Sequence, residues 1–489
     1  MSVPPAASAG ARTGFGPAIE APGSDAGPAP APIPPSGPRV HLVNFGCQMN
    51  ELDAELVLGD LARKGWGRTD DAASADLILV NTCSVREHAE DKVWSLLGTY
   101  RPMKRARPSM KIGVIGCMAQ RVKGEIARRA PHVDLVLGTS NFRSAVADLE
   151  DVSRRGGRIV RTDRRPDPEH LPDADREISV RPERHRAFVT IMRGCDHVCS
   201  YCIVPFTRGR ETSRPMADVL GEVARLAADG VREVTFLGQN INTYGADRPA
   251  EGGLCTLLEE AAKLDGLARL RFLTSNPFDM SEDMMRRFGR VPKVMPWLHI
   301  PAQSGSDAVL ARMKRTYTVD AYREVVGWAR RHVKDVEITS DFIVGFPGET
   351  DADFDATHRL VEEIGFVQAY VFKYSVRPNT LAANRMDDDV PEDVKKARNL
   401  ALLETQDRIS RAANDALIGR TVDVMLDAAS KTDATRLTGR TPGNRIVHAT
   451  APATSAGRLA RVRITAATAH SLQGDVVELE PEVGAWNPR

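Results

Sequence analysis

Three cysteines stand within eight residues in the segment Cys195-Asp196-His197-Val198-Cys199-Ser200-Tyr201-Cys202. Three thiolates this close in sequence converge when the segment forms a tight loop around a metal centre. Iron–sulfur clusters usually take four cysteine ligands, so three leave one iron open to a small molecule. An open position separates a catalytic metal centre from a closed structural one. The spacing therefore predicts a catalytic cluster, and the alternative is a structural zinc site with His197 as fourth ligand.

A second set of three cysteines, Cys47, Cys83 and Cys117, is dispersed in sequence and belongs to no local motif. Each one directly follows a short apolar run that we predict to be a β-strand. In a parallel sheet all strand ends of one kind lie at one edge, and ligands bind there in open α/β folds. We therefore expect these thiols to meet and to leave one ligand position vacant. The alternative is three separately buried small side chains, which is how we interpret Cys255.

The elements that must position these cysteines fall into three groups. Four apolar runs separated by helical patterns predict an N-terminal parallel sheet: residues 41–46, 77–80, 112–115 and 135–137. Six further strand–helix units predict an incomplete β/α barrel, with strands at 188–192, 233–237, 270–273, 297–300, 336–344 and 369–372 and helices such as 216–229 and 319–332. Short β-type runs then predict a small β-barrel, at 421–426, 436–437, 445–449, 460–464 and 476–479.

Composition sets the limits between these groups. Residues 1–39 hold 10 Pro, 9 Ala and 6 Gly, which predicts a disordered leader because such a segment has little to bury. Six arginines between 154 and 165, followed by three prolines, predict a linker. The predicted organisation is a leader over 1–38, an N-terminal domain over 39–154, a linker over 155–180, a central domain over 181–413 and a C-terminal domain over 416–480.

Charge and cysteine usage exclude several classes of protein. Lys and Arg number 66 against 65 Asp and Glu, so a uniformly basic nucleic-acid coat is excluded. No apolar run approaches the ~18–20 residues of a membrane span, so we expect no membrane partner. Seven cysteines without a secretory signal argue against a disulfide framework and favour a reducing cytoplasm. We expect a monomer.

Several motifs together resemble the methylthiotransferase family of radical S-adenosylmethionine (SAM) enzymes. The resemblance covers residues 40–480, including a C-terminal TRAM domain, and its matches are Gly46-Cys47-Gln48-Met49-Asn50, Asn81-Thr82-Cys83-Ser84-Val85-Arg86, Gly116-Cys117-Met118-Ala119-Gln120-Arg121, Arg193–Arg210, Leu237-Gly238-Gln239-Asn240, His299–Ser306, Met313-Lys314-Arg315 and Ser340–Thr350. The opening Gly-Cys-Gln-Met-Asn favours the branch that acts on tRNA. Two positions depart from the family pattern: Asn379, where Gly is common, and Asn276, where His is frequent.

The resemblance implies a fold, cofactors and a reaction. It implies a radical SAM partial (β/α)6 barrel that holds one [4Fe-4S] cluster on Cys195, Cys199 and Cys202, and a second [4Fe-4S] cluster on Cys47, Cys83 and Cys117. SAM would act as radical source and as methyl donor, and a reducing electron donor is required. The implied reaction is radical methylthiolation at C2 of N6-dimethylallyladenosine at position 37 of tRNA, next to the anticodon, with sulfur from the second cluster.

Contacts to SAM and RNA are expected on loops. The resemblance places SAM contacts after the barrel strands, with Tyr201, Gln239, Asn240 and Gln303 as candidates; for Gln239 and Asn240 ordinary loop capping is the alternative. Residues 420–464 hold eight Lys or Arg and three Asp, a local charge of +5 that suits RNA phosphates. The candidate RNA contacts are Arg436, Arg440, Arg445, Arg461 and Arg463, and a solvated charged face is the alternative.

Two other functions remain open at this point. A methylthiotransferase acting on a ribosomal protein would use the same chemistry. A non-catalytic iron–sulfur protein that binds RNA would consume no SAM under reduction. The basic C-terminal domain and the Cys47 motif favour the tRNA reaction over the first, and two vacant ligand positions favour catalysis over the second.

Overall fold

The computed structural model describes residues 37–84, 87–163, 180–181, 183–430, 433 and 435–481. The predicted leader, apart from its last two residues, and most of the predicted linker lie outside these ranges.

The N-terminal domain is a six-stranded, wholly parallel sheet in the order β2-β1-β3-β4-β5-β6, with helices between the strands. Its strands are β1 (Arg39–Asn44), β2 (Gly67–Arg68), β3 (Leu77–Thr82), β4 (Lys111–Gly116), β5 (Leu135–Leu137) and β6 (Ile159–Arg161). Its helices are α1 (Gln48–Arg63), α2 (Glu87–Ala106), α3 (Cys117–Val122), α4 (Gly124–Arg129) and α5 (Ala145–Arg155). The four predicted strands and the parallel sheet are confirmed.

Two strands of this sheet escaped the sequence analysis. β2 has two residues, too few to show any periodicity. β6 lies inside the predicted linker 155–180 and pairs in parallel with β5, so the N-terminal sheet continues beyond the predicted limit at 154. The run of arginines around it obscured a strand of which Ile159 packs against the domain core.

The central domain is an open barrel of six parallel strands, which confirms the predicted incomplete barrel. β7 (Arg186–Thr190), β10 (Glu233–Leu237) and β11 (Arg269–Phe272) form one sheet; β12 (Trp297–His299), β13 (Glu337–Val344) and β14 (Gln368–Lys373) form the other. A bridge joins Leu270 of β11 to Val294, three residues before β12. The predicted strand 188–192 spans parts of two strands. β7 ends at Thr190, and the short β8 (Met192–Arg193) begins two residues later and pairs with β9 (Thr212–Ser213).

The central domain has nine helices within its described residues. They are α6 (Val204–Thr207), α7 (Met216–Ala228), α8 (Leu254–Ala261), α9 (Glu282–Phe288), α10 (Asp307–Arg312), α11 (Val319–His332), α12 (Asp351–Ile364), α13 (Leu381–Arg385) and α14 (Glu392–Asp415). Several of them, among them α7, α8, α11 and α12, pack on the core of the barrel. Cys255 lies in α8 and is buried in the barrel core, as predicted.

The N-terminal domain packs against the barrel through α1. Met49 and Leu52 of this helix share one apolar cluster with Leu237, Phe188 and Leu273 of the barrel strands and their ends. The hydroxyl of Thr190, at the end of β7, donates to the Met49 sulfur across 3.8 Å. The start of α1, and with it Cys47, is therefore held close to the carboxyl end of a barrel strand.

The C-terminal domain is a closed five-stranded barrel, as predicted, in the order β15-β16-β17-β19-β18. Its strands are β15 (Thr421–Ala429), β16 (Arg436–Arg440), β17 (Ile446–Thr450), β18 (Leu459–Ala467) and β19 (Leu472–Leu479). The turn between β16 and β17 docks on the central domain, where Arg271 donates to the carbonyls of Pro442 and Thr441, each across 2.8 Å. Arg445 pairs with Glu337, the first residue of β13, at 2.8 Å. The small barrel thus closes the amino end of the large one and leaves the carboxyl ends of its strands for a site.

Within the described residues, no helix is both long and apolar enough to cross a lipid bilayer.

Candidate functional site

The connection between β8 and β9, at the carboxyl end of the first barrel strand, carries Cys195, Cys199 and Cys202. Gly194 opens it with a φ of +78°, and a Cβ there would stand 1.9 Å from the Arg210 carbonyl oxygen, so only glycine fits. The amide of Cys195 donates to the Gly209 carbonyl across 3.2 Å, which ties the two ends of the loop together. The amide of Cys202 donates to the Cys199 carbonyl across 3.1 Å, which turns the last two cysteines toward one another.

These three thiols influence one another electrostatically, so the loop brings them together. Burial is the largest cause that raises the pKa of Cys195 to about 12, and the neighbouring Cys202 and Cys199 contribute to this shift. Burial and, to a smaller extent, Cys199 raise the pKa of Cys202 to about 12. A cluster held here would bind the thiolate forms, so these cysteines would have to give up their protons to it.

Arg315 places a partly buried positive charge beside this loop. Its Nη1 donates to Cys199 Sγ across 3.3 Å, and its Nε donates to the Tyr317 hydroxyl across 3.2 Å. Its Nη2 donates to Asn276 Oδ1 across 3.1 Å. Asn276 is one of the two positions that depart from the family pattern. It touches no cysteine itself, but it orients the arginine that does.

Cys47, Cys83 and Cys117 stand at the carboxyl ends of β1, β3 and β4, which are neighbours in the sheet. Cys83 and Cys117 are buried, and Cys47, at the start of α1, is exposed. The pKa of Cys117 is raised above its ordinary value, mainly by burial. The Cys47 thiol adds to this increase, and Arg208 opposes it. Cys47 thus acts electrostatically on Cys117 at the sheet edge where the sequence predicts that these thiols meet.

An amide network holds the loops of this edge together. Asn50 Nδ2 donates to Asn81 Oδ1 across 3.3 Å and to the Thr82 carbonyl across 3.2 Å. Asn81 Nδ2 in turn donates a hydrogen bond to the Asn50 carbonyl across 2.6 Å. Gly116 packs against the same network with a φ of +99°, and a Cβ there would lie 2.5 Å from Asn81 Oδ1. The residues flanking the cysteines thus fix the positions of the thiols.

The donor sets fit iron–sulfur clusters. All seven cysteines lie in the described ranges, and none of them forms a disulfide. Within the described residues, no three Cys, His, Asp or Glu side chains are arranged as ligands of a single metal ion. A cubane is a larger group than one ion, since each thiolate binds a different iron. His197, the fourth ligand of the zinc alternative, pairs through Nε2 with Asp279 Oδ2 at 2.7 Å.

The four SAM candidates all lie beyond the carboxyl ends of barrel strands or in the cysteine loop. Gln239 Oε1 accepts from the Gly194 amide at 2.6 Å, and Asn240 Nδ2 donates to Asp279 Oδ2 across 3.0 Å. Both side chains therefore support loops, as the capping alternative states. Among the described residues, Asn240 Oδ1 is a buried acceptor without a hydrogen-bond partner. Tyr201 packs edge-on against Phe346, with ring centres 6.5 Å apart, and Gln303 adopts a φ of +67°.

The five RNA candidates divide between two environments. Arg461 and Arg463 project from β18 and are exposed. Arg436 lies on β16, 3.1 Å from Gln473 and 3.4 Å from Asp433. Arg440 and Arg445 instead belong to the junction with the central domain. Burial lowers the pKa of Arg440, and the pair with Glu337 occupies Arg445.

Sequence reasoning missed Arg208 and Arg315 as neighbours of the cysteines. Both lie in matched motifs, Arg193–Arg210 and Met313-Lys314-Arg315. Their contacts depend on how separate elements pack, which neither spacing nor periodicity reports.

Family models match two parts of the chain. The model described as "Uncharacterized protein family UPF0004" matches residues 39–138, and the model of the "Radical SAM superfamily" matches residues 189–361. Among solved structures, the chain resembles the radical S-adenosylmethionine methyltransferase TsrM from Kitasatospora setae, with a TM-score of 0.53 and 14% identity over 71% of this chain and 77% of that one. At that identity the likeness shows a shared fold.

Curated relatives match nearly the whole chain. A protein of Anaeromyxobacter dehalogenans, named tRNA-2-methylthio-N(6)-dimethylallyladenosine synthase, is 47% identical over 91% of this chain and 96% of its own length. A protein of the same name from Acetivibrio thermocellus is 42% identical over 90% of this chain and 91% of its own. With this identity over almost its full length, and with both cysteine sets at the carboxyl ends of parallel strands, the chain belongs to the tRNA-2-methylthio-N(6)-dimethylallyladenosine synthase family of radical SAM proteins.

Proposed function

We propose that this protein methylthiolates C2 of N6-dimethylallyladenosine at position 37 of tRNA, with one [4Fe-4S] cluster at each cysteine set and SAM as radical source and methyl donor. The names of the relatives support the substrate. One structural observation carries the two-centre arrangement. Arg208, six residues after Cys202, pairs with Asp53, six residues after Cys47, so the loops that hold the two sets are in contact.

The first cysteine set would hold the centre that starts the reaction. When bound there, a reduced cluster with SAM at its open iron supplies the strong hydrogen-atom abstractor that an aromatic C–H bond requires. Cys195, Cys199 and Cys202 are the ligands, and Arg315 donates to Cys199 from the opposite loop. The Asn240 Oδ1 acceptor and the Gln303 side chain, at the same end of the barrel, are the proposed SAM contacts.

The second set would hold the sulfur donor. Cys47, Cys83 and Cys117 ligate it, and the burial of Cys83 and Cys117 keeps water from its protein side. The exposed Cys47 leaves one side of the set open. Because the start of α1 packs at the carboxyl ends of barrel strands, the second set lies at the end of the barrel that carries the first set, and the target base would enter there.

The C-terminal barrel would bind tRNA through its exposed basic residues. Arg461 and Arg463 on β18 present positive charge to solvent, and Arg436 adds a third cation. Arg440 and Arg445 would act indirectly, since they hold the barrel on the central domain.

Nucleoside analysis tests the substrate. tRNA from a strain that lacks this gene is digested, and its methylthiolated and unmethylthiolated dimethylallyladenosine are quantified before and after complementation. The proposal expects the methylthio form to vanish and then to return with the wild-type gene only. Unchanged levels would overturn it and direct attention to ribosomal proteins as substrate. A protein that restores nothing and consumes no SAM under dithionite would be a non-catalytic RNA-binding protein.

A further inference from the structure

Arg208 extends from the central domain into the second cysteine set. It directly follows α6, and its Nη2 lies 2.7 Å from Asp53 Oδ2 on α1. The two side chains are 4% and 3% exposed, so the pair is withdrawn from water. The neighbouring carbonyl of Thr207 accepts a hydrogen bond from the Thr139 hydroxyl, just past β5, which fixes the backbone of this segment against the N-terminal domain.

The guanidinium also lies near the thiols. Helix α3, which begins at Cys117, packs against α6, and Arg208 acts electrostatically on both Cys117 and Cys47. In the part of the chain that the structure describes, its buried Nη1 has no hydrogen-bond partner. A buried arginine with an unused donor is costly unless an acceptor fills that position. Thiolate or sulfide sulfur at the cysteine set would be such an acceptor.

The charge of the site supports the same conclusion. Three thiolates outweigh the positive charge of an oxidised cubane core, so the loaded site is anionic, and Asp53 adds a further negative charge beside it. Withdrawing such an anion from water requires a compensating cation. A cation in this position also favours the more negative, reduced form of a cluster, so it raises the reduction potential.

We propose that Arg208 is a positioning residue for the second cluster, which it holds against the central domain and whose negative charge it compensates. This inference rests on the proposed function, because it requires a cluster on Cys47, Cys83 and Cys117. It assigns the interdomain pair with Asp53 a role beyond stability, because Asp53 orients the guanidinium toward the thiols.

The test uses the full-length chain with Cys195, Cys199 and Cys202 replaced by alanine, so that only the second cluster can form. In this background we compare Arg208→Gln, Arg208→Lys and the control Arg143→Gln. Arg143 pairs with Asp60 at 3.3 Å. Asp60 lies on α1, like Asp53, but near the end of this helix that is remote from Cys47. After anaerobic reconstitution, the readouts are iron and sulfide content, the midpoint potential from a reductive titration followed by electron paramagnetic resonance, and the rate of iron loss to a chelator.

We expect Arg208→Gln to lower the midpoint potential and to speed iron loss several-fold. Arg208→Lys should have a midpoint potential close to that of the parent, the protein in which only Cys195, Cys199 and Cys202 are replaced. It should lose iron faster than this parent, since lysine retains the charge without the planar fork. Arg143→Gln should match the parent. A folded Arg208→Gln with unchanged potential and iron retention overturns the inference. Should that variant not fold, a Lys variant equal to the parent in iron retention overturns it. A parent that takes up no iron refutes the second cluster itself, and with it the proposed function.

Discussion

Arg315 Nη1 lies 3.3 Å from Cys199 Sγ, although the two residues are 116 positions apart in the chain. Arg208 acts electrostatically on Cys117, the first residue of the helix that packs against α6. Each cysteine set therefore has one arginine beside it, brought there by an element other than those that carry the cysteines. Fixed positive charge inside the protein stabilises an anionic group without the reorganisation that water would need, so these two arginines suit the two anionic centres that we propose.

Replacing Arg315 with glutamine should impair the first centre. A hydrogen bond to a charged group contributes about 1.5–3 kcal/mol, so we expect SAM cleavage to slow by roughly tenfold or more. The measurement is 5′-deoxyadenosine formation under dithionite, with iron content determined in parallel. Arg323→Gln, on the exposed side of α11, is the matched control. An Arg315→Gln protein as active as the control would show that the contact with Cys199 has no influence on the reaction.

Alanine in place of one cysteine from each set should separate the two centres. We expect Cys199→Ala to abolish SAM cleavage, and Cys83→Ala to retain SAM cleavage but stop sulfur insertion. The first is read from 5′-deoxyadenosine and the second from methylthiolated nucleosides in tRNA. If both variants still methylthiolated tRNA, the division of labour between the sets would be wrong.

The cysteine positions could be predicted because they depend on local sequence and on one topological rule. The spacing of Cys195, Cys199 and Cys202 needs a loop, and parallel strands bring Cys47 and its partners to one edge. Asn379 stands where Gly is common in the family, and its φ of +74° lies in the left-handed region that Asn tolerates better than most residues. The strand β6 and the arginine contacts could not be predicted, because they exist only once separate elements pack.

Gly116→Ala should destabilise the second cysteine set. Alanine would be strained at a φ of +99°, and its Cβ would stand 2.6 Å from the Thr82 carbonyl oxygen as well as against Asn81. We expect a loss of about 2 kcal/mol or more in the free energy of unfolding, measured by urea denaturation of the metal-free protein. Gly327→Ala is the control, because a Cβ at this position in α11 meets nothing within 4 Å. That variant should gain up to about 1 kcal/mol, since alanine favours helix, and a Gly116→Ala protein of equal stability would contradict the steric argument.

Asp427 should make the docking of the C-terminal barrel sensitive to acid. Burial raises its pKa, but Arg186 at 3.3 Å and His185 at 2.9 Å more than offset this and hold the pKa below its ordinary value. A lowered pKa in the folded state means that the contribution to stability is complete above the unfolded value of about 3.9 and is lost as pH falls through the folded value. The measurement is the free energy of unfolding of wild type and of Asp427→Asn at a series of pH values between 3 and 7.

The Asp427→Asn variant should be less stable than wild type by about 3 kcal/mol near neutral pH, because it leaves the cations of the junction without their partner. The difference should shrink as pH falls below the unfolded value of about 3.9 and through the lowered folded value, where the wild-type carboxylate also becomes protonated. Asp475→Asn, at an exposed position on β19, is the control and should follow the wild-type profile. A constant gap between Asp427→Asn and wild type across the whole range would contradict this role for Asp427.

The exposed arginines of β18 should carry salt-dependent affinity for tRNA. The side chain of Arg461 is 58% exposed and makes only a 3.5 Å contact with Glu478, so it can reach a phosphate, as can its neighbour Arg463. We expect Arg461→Gln with Arg463→Gln to weaken tRNA binding and to reduce the slope of log K against log salt by about one for each phosphate that is no longer neutralised. Arg445→Gln gives the contrast, because its partner Glu337 lies inside the protein. It should lower stability while leaving the salt slope near that of wild type. If Arg445→Gln changed the slope and the β18 variant did not, RNA would bind at the junction between the barrels rather than on the exposed strand.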